Sequence, residues 1–235
     1  MGFFEGLVAV FKDFDLLLNS LLITLLIAAG ALVVGFIIGI LCAVVRIAPK
    51  NNPVIKVLDY IAKLYITIIR GTPTLLQLLI IANVVLSGIY NSSNNLIIPI
   101  IAFGLNSGAY MAEIIRSGIN SVPSGQLEAG RSLGLTWGRT VIKIIIPQAI
   151  KTVIPTIFNE IIVLVKETSV VMYTSLFVGG KQVYDLLGIA DKRGLATANY
   201  LAYIIVAALL YLIVVILLTQ VQKLIERKFR KNERR

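Results

Sequence analysis

Long apolar runs constrain this chain more than any other feature. Several exceed the roughly 18 residues that a bilayer crossing needs. Five hydrophobic regions can be read, at about 16–45, 54–89, 96–115, 141–165 and 200–221. Composition agrees: 57% of the 235 residues are hydrophobic and 14% are charged. A soluble domain of this size cannot cover so apolar an interior with polar surface. The expected fold is an all-α membrane protein of five transmembrane helices in one domain, 1–235. The residues before the first region carry Glu5, Asp13 and Asp15 against Lys12, unlike the basic start of a cleaved signal peptide.

A net charge of +10 raises nucleic acid as a partner. The basic residues, however, cluster at the ends of apolar runs, as the positive-inside rule predicts. Arg46, Lys50 and Lys56 follow the first region. The uncharged turn from Tyr90 to Asn95 follows the second. Arg116, Arg131, Arg139 and Lys143 stand against Glu128 after the third, and the tail from Lys223 holds seven basic and two acidic residues. Alternation then places the N-terminus outside and the C-terminus in the cytoplasm. The segment 166–199 is near neutral. Tyr200 and Tyr203 read as interface anchors, and Lys166-Glu167 as a solvated pair at the outer end of the fourth region.

Catalysis has little to work with. The sequence has no histidine, which removes the commonest general base and most zinc sites. Cys42 is alone and reads as a small buried hydrophobe. Gly179-Gly180-Lys181 is followed by Gln182 and lacks the upstream glycine of a phosphate-binding loop. The chain is expected to be no enzyme, with no catalytic residue, metal or cofactor of its own.

The spans are interrupted. Arg70-Gly71-Thr72-Pro73 breaks the second region, and Pro147 and Pro155 are expected to break the fourth. Backbone groups freed inside a bilayer survive where protein or a water-filled cavity satisfies them, and transporters present such broken helices to substrate. A kink at a packing contact is the other reading of the 70–73 break. Polar residues at span depth complete the candidate site: Thr72, Pro73 and Gln77 at the break, Asn106 and Tyr110 on one face of the third region, and Asn159 and Glu160 in the fourth. A carboxylate there is costly unless paired or facing water. Glu113 and Arg116, three apart, are expected to pair.

Between the third and fourth regions lies a patterned loop, 117–140. Ser124 opens a helix-like stretch with Glu128 and Ala129, Gly130 and Gly134 would share one helical face, and Gly134 permits a turn. Protruding leucines and small residues suit entry into another protein's groove; an amphipathic helix in the headgroup layer is the alternative.

Glu128-Ala129-Gly130, three residues, Gly134, nine residues, then Ile144, Ile146 and Pro147 resemble the EAA loop of ABC importer permeases. Gly130 stands for that motif's second alanine and Ile146 for its leucine. Arg70-Gly-Thr-Pro-Thr-Leu-Leu-Gln77, Ala109-Tyr-Met-Ala-Glu113-Ile-Ile-Arg116, Ser121-Val-Pro-Ser-Gly-Gln126, Pro147-Gln-Ala-Ile and Lys166-Glu-Thr-Ser169 are similar to the polar amino-acid (histidine/glutamine/arginine) permeases, in order from residue 70 to 169.

The resemblance implies a multi-pass permease subunit of the bacterial inner membrane, driven through alternating access by separate ATPase subunits that bind ATP and Mg. A second permease copy or paralogue and an extracytoplasmic amino-acid-binding protein are the further partners. Glu128, Ala129, Gly130 and Gly134 would couple to the ATPase, Glu128 by a polar contact and the small residues by allowing close approach. Glu160 would meet a cationic amino acid. Permeation of another small solute, such as an osmoprotectant or methionine, and a passive channel are the alternatives; a channel gives no reason for the loop helix. Which amino acid is carried is not written in these motifs.

Overall fold

The computed structural model describes residues 3–90 and 95–231. The 91–94 part of the expected turn and the tail end, 232–235, lie outside the described residues. The first half contains α1 (Phe3–Lys12), α2 (Phe14–Ile47), α3 (Pro53–Arg70), α4 (Thr74–Ile80), extended by a π turn Ile81–Val85, α5 (Ser87–Tyr90) and α6 (Ile97–Asn120). The loop region holds α7 (Ser124–Ser132) and α8 (Trp137–Thr140). A π turn Val141–Ile145 joins α8 to α9 (Ile146–Glu167), which a 3₁₀ turn, Thr168–Tyr173, continues. A hairpin of β1 (Leu176–Val178) and β2 (Lys181–Val183), then α10 (Leu186–Ala196) and α11 (Tyr200–Lys231), complete the chain.

Among the described residues, four helical rods are long and apolar enough to cross a membrane: Phe14–Ile47, Ile97–Asn120, Trp137–Tyr173 and Tyr200–Lys228. The pair α3 and Thr74–Val85, bent by 109°, is long and apolar enough to make a fifth when taken as one span. Asn52 starts α3 by accepting from the Val54 amide at 2.8 Å, with Pro53 in the first turn. Gly71 and Pro73 stop it.

The spans pack through small residues. On α2 the buried face is Ala28, Ala31, Gly35, Gly39 and Ala43, spaced three and four apart. It meets Gly104, Ser107, Gly108, Met111 and Ala112 of α6. A Cβ added at Gly39 would lie 2.5 Å from the Met111 Cβ, and one at Gly104 2.6 Å from Val34 Cγ1. Lipid offers leucine-like surroundings everywhere, so close backbone approach rather than burial is what favours one helix pair over another. Opposite this face, Leu22, Leu26, Val33, Ile37 and Leu41 are exposed.

Two expectations need correction, the proline breaks and the Tyr203 anchor. Neither proline ends the fourth span. Pro147 sits in the first turn of α9 after the π turn, whose widened geometry relieves the clash between a proline ring and the carbonyl four residues back. Pro155 lies inside α9, and Gln222 of α11 makes a long contact, 3.4 Å, to its carbonyl. The all-α fold carries a short hairpin, whose turn places Gly179 and Gly180 at φ +59 and +74, the conformation glycine adopts without strain. Tyr203 is no interface anchor: it is fully buried, and its hydroxyl donates to Asp13, which also accepts two bonds from Arg193 at 2.6 and 2.8 Å. That cluster ties the start of α2 to α10 and α11.

Candidate functional site

The bend is built by a side chain that replaces a missing amide. Pro73 has no N–H, so the Ile69 carbonyl four residues back has no helical donor. Gln77 supplies one: its Nε2 donates to Ile69 O at 2.7 Å, to Thr72 O at 3.0 Å and to Thr72 Oγ1 at 2.8 Å. Thr72 Oγ1 in turn donates to Ile68 O at 2.8 Å. From α6, Asn106 Nδ2 donates to Gln77 Oε1 at 3.0 Å. Gln77 and Asn106 are 8% and 2% exposed.

This reassigns expected substrate ligands. Gln77, Asn106 and the Thr72 hydroxyl satisfy the bend and each other, so their donors are already occupied. Asn159 turns away from its neighbour Glu160, is exposed, and accepts from Gln222 Nε2 of α11 at 3.1 Å. Adjacent helical residues point about 100° apart, which is why the two cannot serve one site.

What remains is a polar group across three elements. Glu160 on α9 is half-buried and faces the Ser107 hydroxyl of α6, with the Glu167 carboxylate and the Arg70 guanidinium within electrostatic reach. Glu167 lies beside Thr74, the first residue of α4. It is half-buried, so the solvated Lys166-Glu167 pair is a second correction. Arg70 lies over the Tyr110 ring, 5.1 Å from its centroid, and Pro73 is exposed beside them. Glu160, Tyr110 and Pro73 were expected in this group from the sequence, whereas Thr74 and Glu167 were not expected as substrate contacts. The signal for Glu167 was available: seven residues, about two turns, separate it from Glu160 on one face. Acceptors at one end and a guanidinium at the other can hold a zwitterion.

The second locus is the loop. Pro123 precedes α7, and Gly134, at φ +80, closes it. Leu135 N donates to Gly130 O at 3.2 Å and Gly134 N to Arg131 O at 3.0 Å, the two bonds of a Schellman motif. Thr136 then caps α8 by accepting from Arg139 N at 3.4 Å. Glu128, Ala129 and Leu133 are exposed, Leu133 at 81%.

Gly130 and Gly134 do not share a helical face, because α7 ends at Ser132. Gly130 is buried against its own chain: a Cβ there would lie 2.4 Å from Thr140 Cγ2 and 3.0 Å from Ile144 Cδ1. Its small size lets α7 pack onto the start of the next span, and the outward contacts are left to Glu128, Ala129 and Leu133.

Residues 35–231 match the model of a family described as the binding-protein-dependent transport system inner membrane component. The arginine transport system permease protein of Bacillus subtilis (strain 168) is 35% identical over 225 residues, covering 96% of this chain and 97% of that one. A putative glutamine transport system permease protein of Rickettsia bellii is 38% identical over 227 residues, covering 96% and 98%. Among solved structures, an amino acid ABC transporter crystallised with histidines superposes with a TM-score of 0.81 at 33% identity, covering 94% of this chain and 97% of that one. The MetNI methionine ABC transporter, at 20% identity and a TM-score of 0.68 over 92% and 94%, shares the fold.

Proposed function

The chain belongs to the family of binding-protein-dependent transport system inner membrane components, and from that premise we propose how it works as the permease subunit of an ABC importer for polar amino acids. It is a multi-pass inner-membrane protein, and ATPase and substrate-binding partners go with the family. ATP and Mg are bound by separate ATPase subunits. Closure of these moves the loop helices, and the spans rock about a central cavity between two permease subunits. The N-terminus lies outside, where the binding protein delivers substrate, and α7 lies in the cytoplasm. Glu128 makes the polar contact to the ATPase, flanked by Ala129 and Leu133.

Substrate selection rests on one observation, the pairing of Glu160 with Glu167 on one face of α9 opposite Arg70. Two carboxylates at span depth are costly unless a cation joins them. A cationic amino acid supplies that charge, and Arg70, exposed beside the Tyr110 ring, meets its carboxylate. The relative named for arginine supports this reading; those named for glutamine favour a broader range. Reconstitution with chromosomally neighbouring ATPase and binding-protein subunits tests it. Basic amino acids should stimulate ATP hydrolysis and be taken up. Glu160→Gln should lower uptake of basic amino acids about tenfold more than that of neutral ones. Equal loss of both would remove the charge-selective role, and failure to recover any ATPase subunit would remove the transport mechanism.

A further inference from the structure

Where α2, α3 and α6 end beside the loop helix, positive charge exceeds what the local acids neutralise. Arg46 lies 3.5 Å from Asp59 Oδ1 and 3.7 Å from Glu113 Oε1. Lys50 and Lys63 reach Asp59 at 3.0 and 2.8 Å, and Arg116 pairs with Glu113 at 2.7 Å. Four cations therefore share two carboxylates. The Arg46 Nε is buried without a hydrogen-bond acceptor, a costly state for a guanidinium N–H. Lys50 also donates to the Val45 and Arg46 carbonyls at 2.7 and 3.3 Å, so the unmet donor of the cluster is Arg46 Nε.

A cavity of about 500 Å³ opens onto Arg46, Lys50, Lys63 and Arg116. Asp59 lines it too, and Leu127 of α7 with Trp137, Val141 and Ile145 makes an apolar wall. A neighbouring cavity of about 280 Å³ shares Arg46 and Lys63. Lys50 and Lys63 keep side-chain exposures of 35% and 56%, so both can turn towards a ligand.

We propose that this cavity binds a phosphate group, of the kind that an anionic phospholipid of the cytoplasmic leaflet presents. Phosphate oxygens would give the Arg46 Nε its missing acceptor and balance the excess charge of the four cations. The apolar wall favours a lipid source over free phosphate, because it gives an acyl chain a surface beside the headgroup. Position agrees, since basic pockets between span ends at the cytoplasmic surface suit anionic headgroups, and Trp137 sits where interfacial aromatics do. One wall of the cavity belongs to the segment that carries Glu128, so an occupied site props the loop helix from within. The choice of leaflet rests on the orientation proposed above, but binding in detergent does not depend on it.

The test is equilibrium binding to the detergent-solubilised permease assembled with its ATPase partner, using short-chain phosphatidylglycerol, short-chain phosphatidylcholine and inorganic phosphate. Phosphatidylglycerol should bind saturably and phosphatidylcholine should not. Lys50→Gln combined with Lys63→Gln should weaken phosphatidylglycerol about tenfold, with the variant's retained ATPase subunit reporting its fold. Trp137→Ala should weaken the lipid while leaving inorganic phosphate unchanged. Inorganic phosphate that binds more tightly than the lipid, with the same lysine dependence, supports the site and names free phosphate as its source. Equal lipid binding by wild type and the lysine variant overturns the proposal. So does phosphatidylcholine binding as tight as phosphatidylglycerol, or binding confined to the chain without its ATPase, which would assign the cavity to that interface.

Discussion

Gln77 does at the bend what the Pro73 amide cannot, and its neighbours depend on it. Gln77→Ala would leave the Ile69 and Thr72 carbonyls and the Asn106 amide short of partners in an apolar surround, costing about 1–3 kcal/mol. A lower melting temperature of the purified protein is the expected result, and an unchanged one would show that water takes over. Asp185 offers a second test. It caps α10 by accepting from the Leu187 and Gly188 amides at 3.2 and 3.3 Å, yet burial pushes its pKa up to about 7. The unfolded chain ionises near the ordinary aspartate value of about 3.9. Between about pH 4 and 7 the folded state holds a proton that the unfolded state has lost, so this residue's contribution to stability falls as pH rises. Asp185→Asn keeps the capping oxygen without the charge. Its melting temperature should gain on wild type between pH 5 and pH 8, and a constant difference would contradict the shift. Asp13 titrates the other way, held below its usual range by the Arg193 guanidinium against the opposing effect of burial.

At the scale of elements, the α2–α6 crossing holds the molecule together. Gly39→Leu drives a side chain into Met111, where the new Cβ alone would sit 2.5 Å from the Met111 Cβ. Overpacking of this kind costs about 1–3 kcal/mol. Less monodisperse protein should be recovered after solubilisation. Gly138→Ala, with nothing within 4 Å of the added Cβ, is the control that should behave as wild type. The stripe itself was legible as Ala28, Ala31, Gly35, Gly39 and Ala43. Its partner was not, because a run of small residues shows only that something approaches closely. The bend was legible in the same partial way: Gly71 and Pro73 announced a break, while its 109° angle and the Gln77–Asn106 support depend on residues that meet only in the folded chain.

For the whole molecule, the outward face of α7 is where force would enter. Glu128 is exposed, so Glu128→Arg should leave the permease's own stability within about 0.5 kcal/mol of wild type, read as a nearly unchanged melting temperature. Coupled uptake and recovery of the ATPase subunit should both fall about tenfold or more. Retention of both would place the coupling contact elsewhere, with Leu133 the next residue to change.

The sequence by itself determined the solvent, the apolar regions, the place of the loop helix and the family, because these follow from local run length, charge and motif order. Only the tertiary structure decided which polar residues are free. Thr72, Gln77 and Asn106 have the chemistry of ligands, but packing of α4 against α6 joins them to one another. Glu167 looked solvated until the bend brought Thr74 to it, and Gly130 looked like part of a docking face until Thr140 covered it. Residue type sets what a side chain can bond. Its commitment is set by which groups the fold brings within about 3 Å.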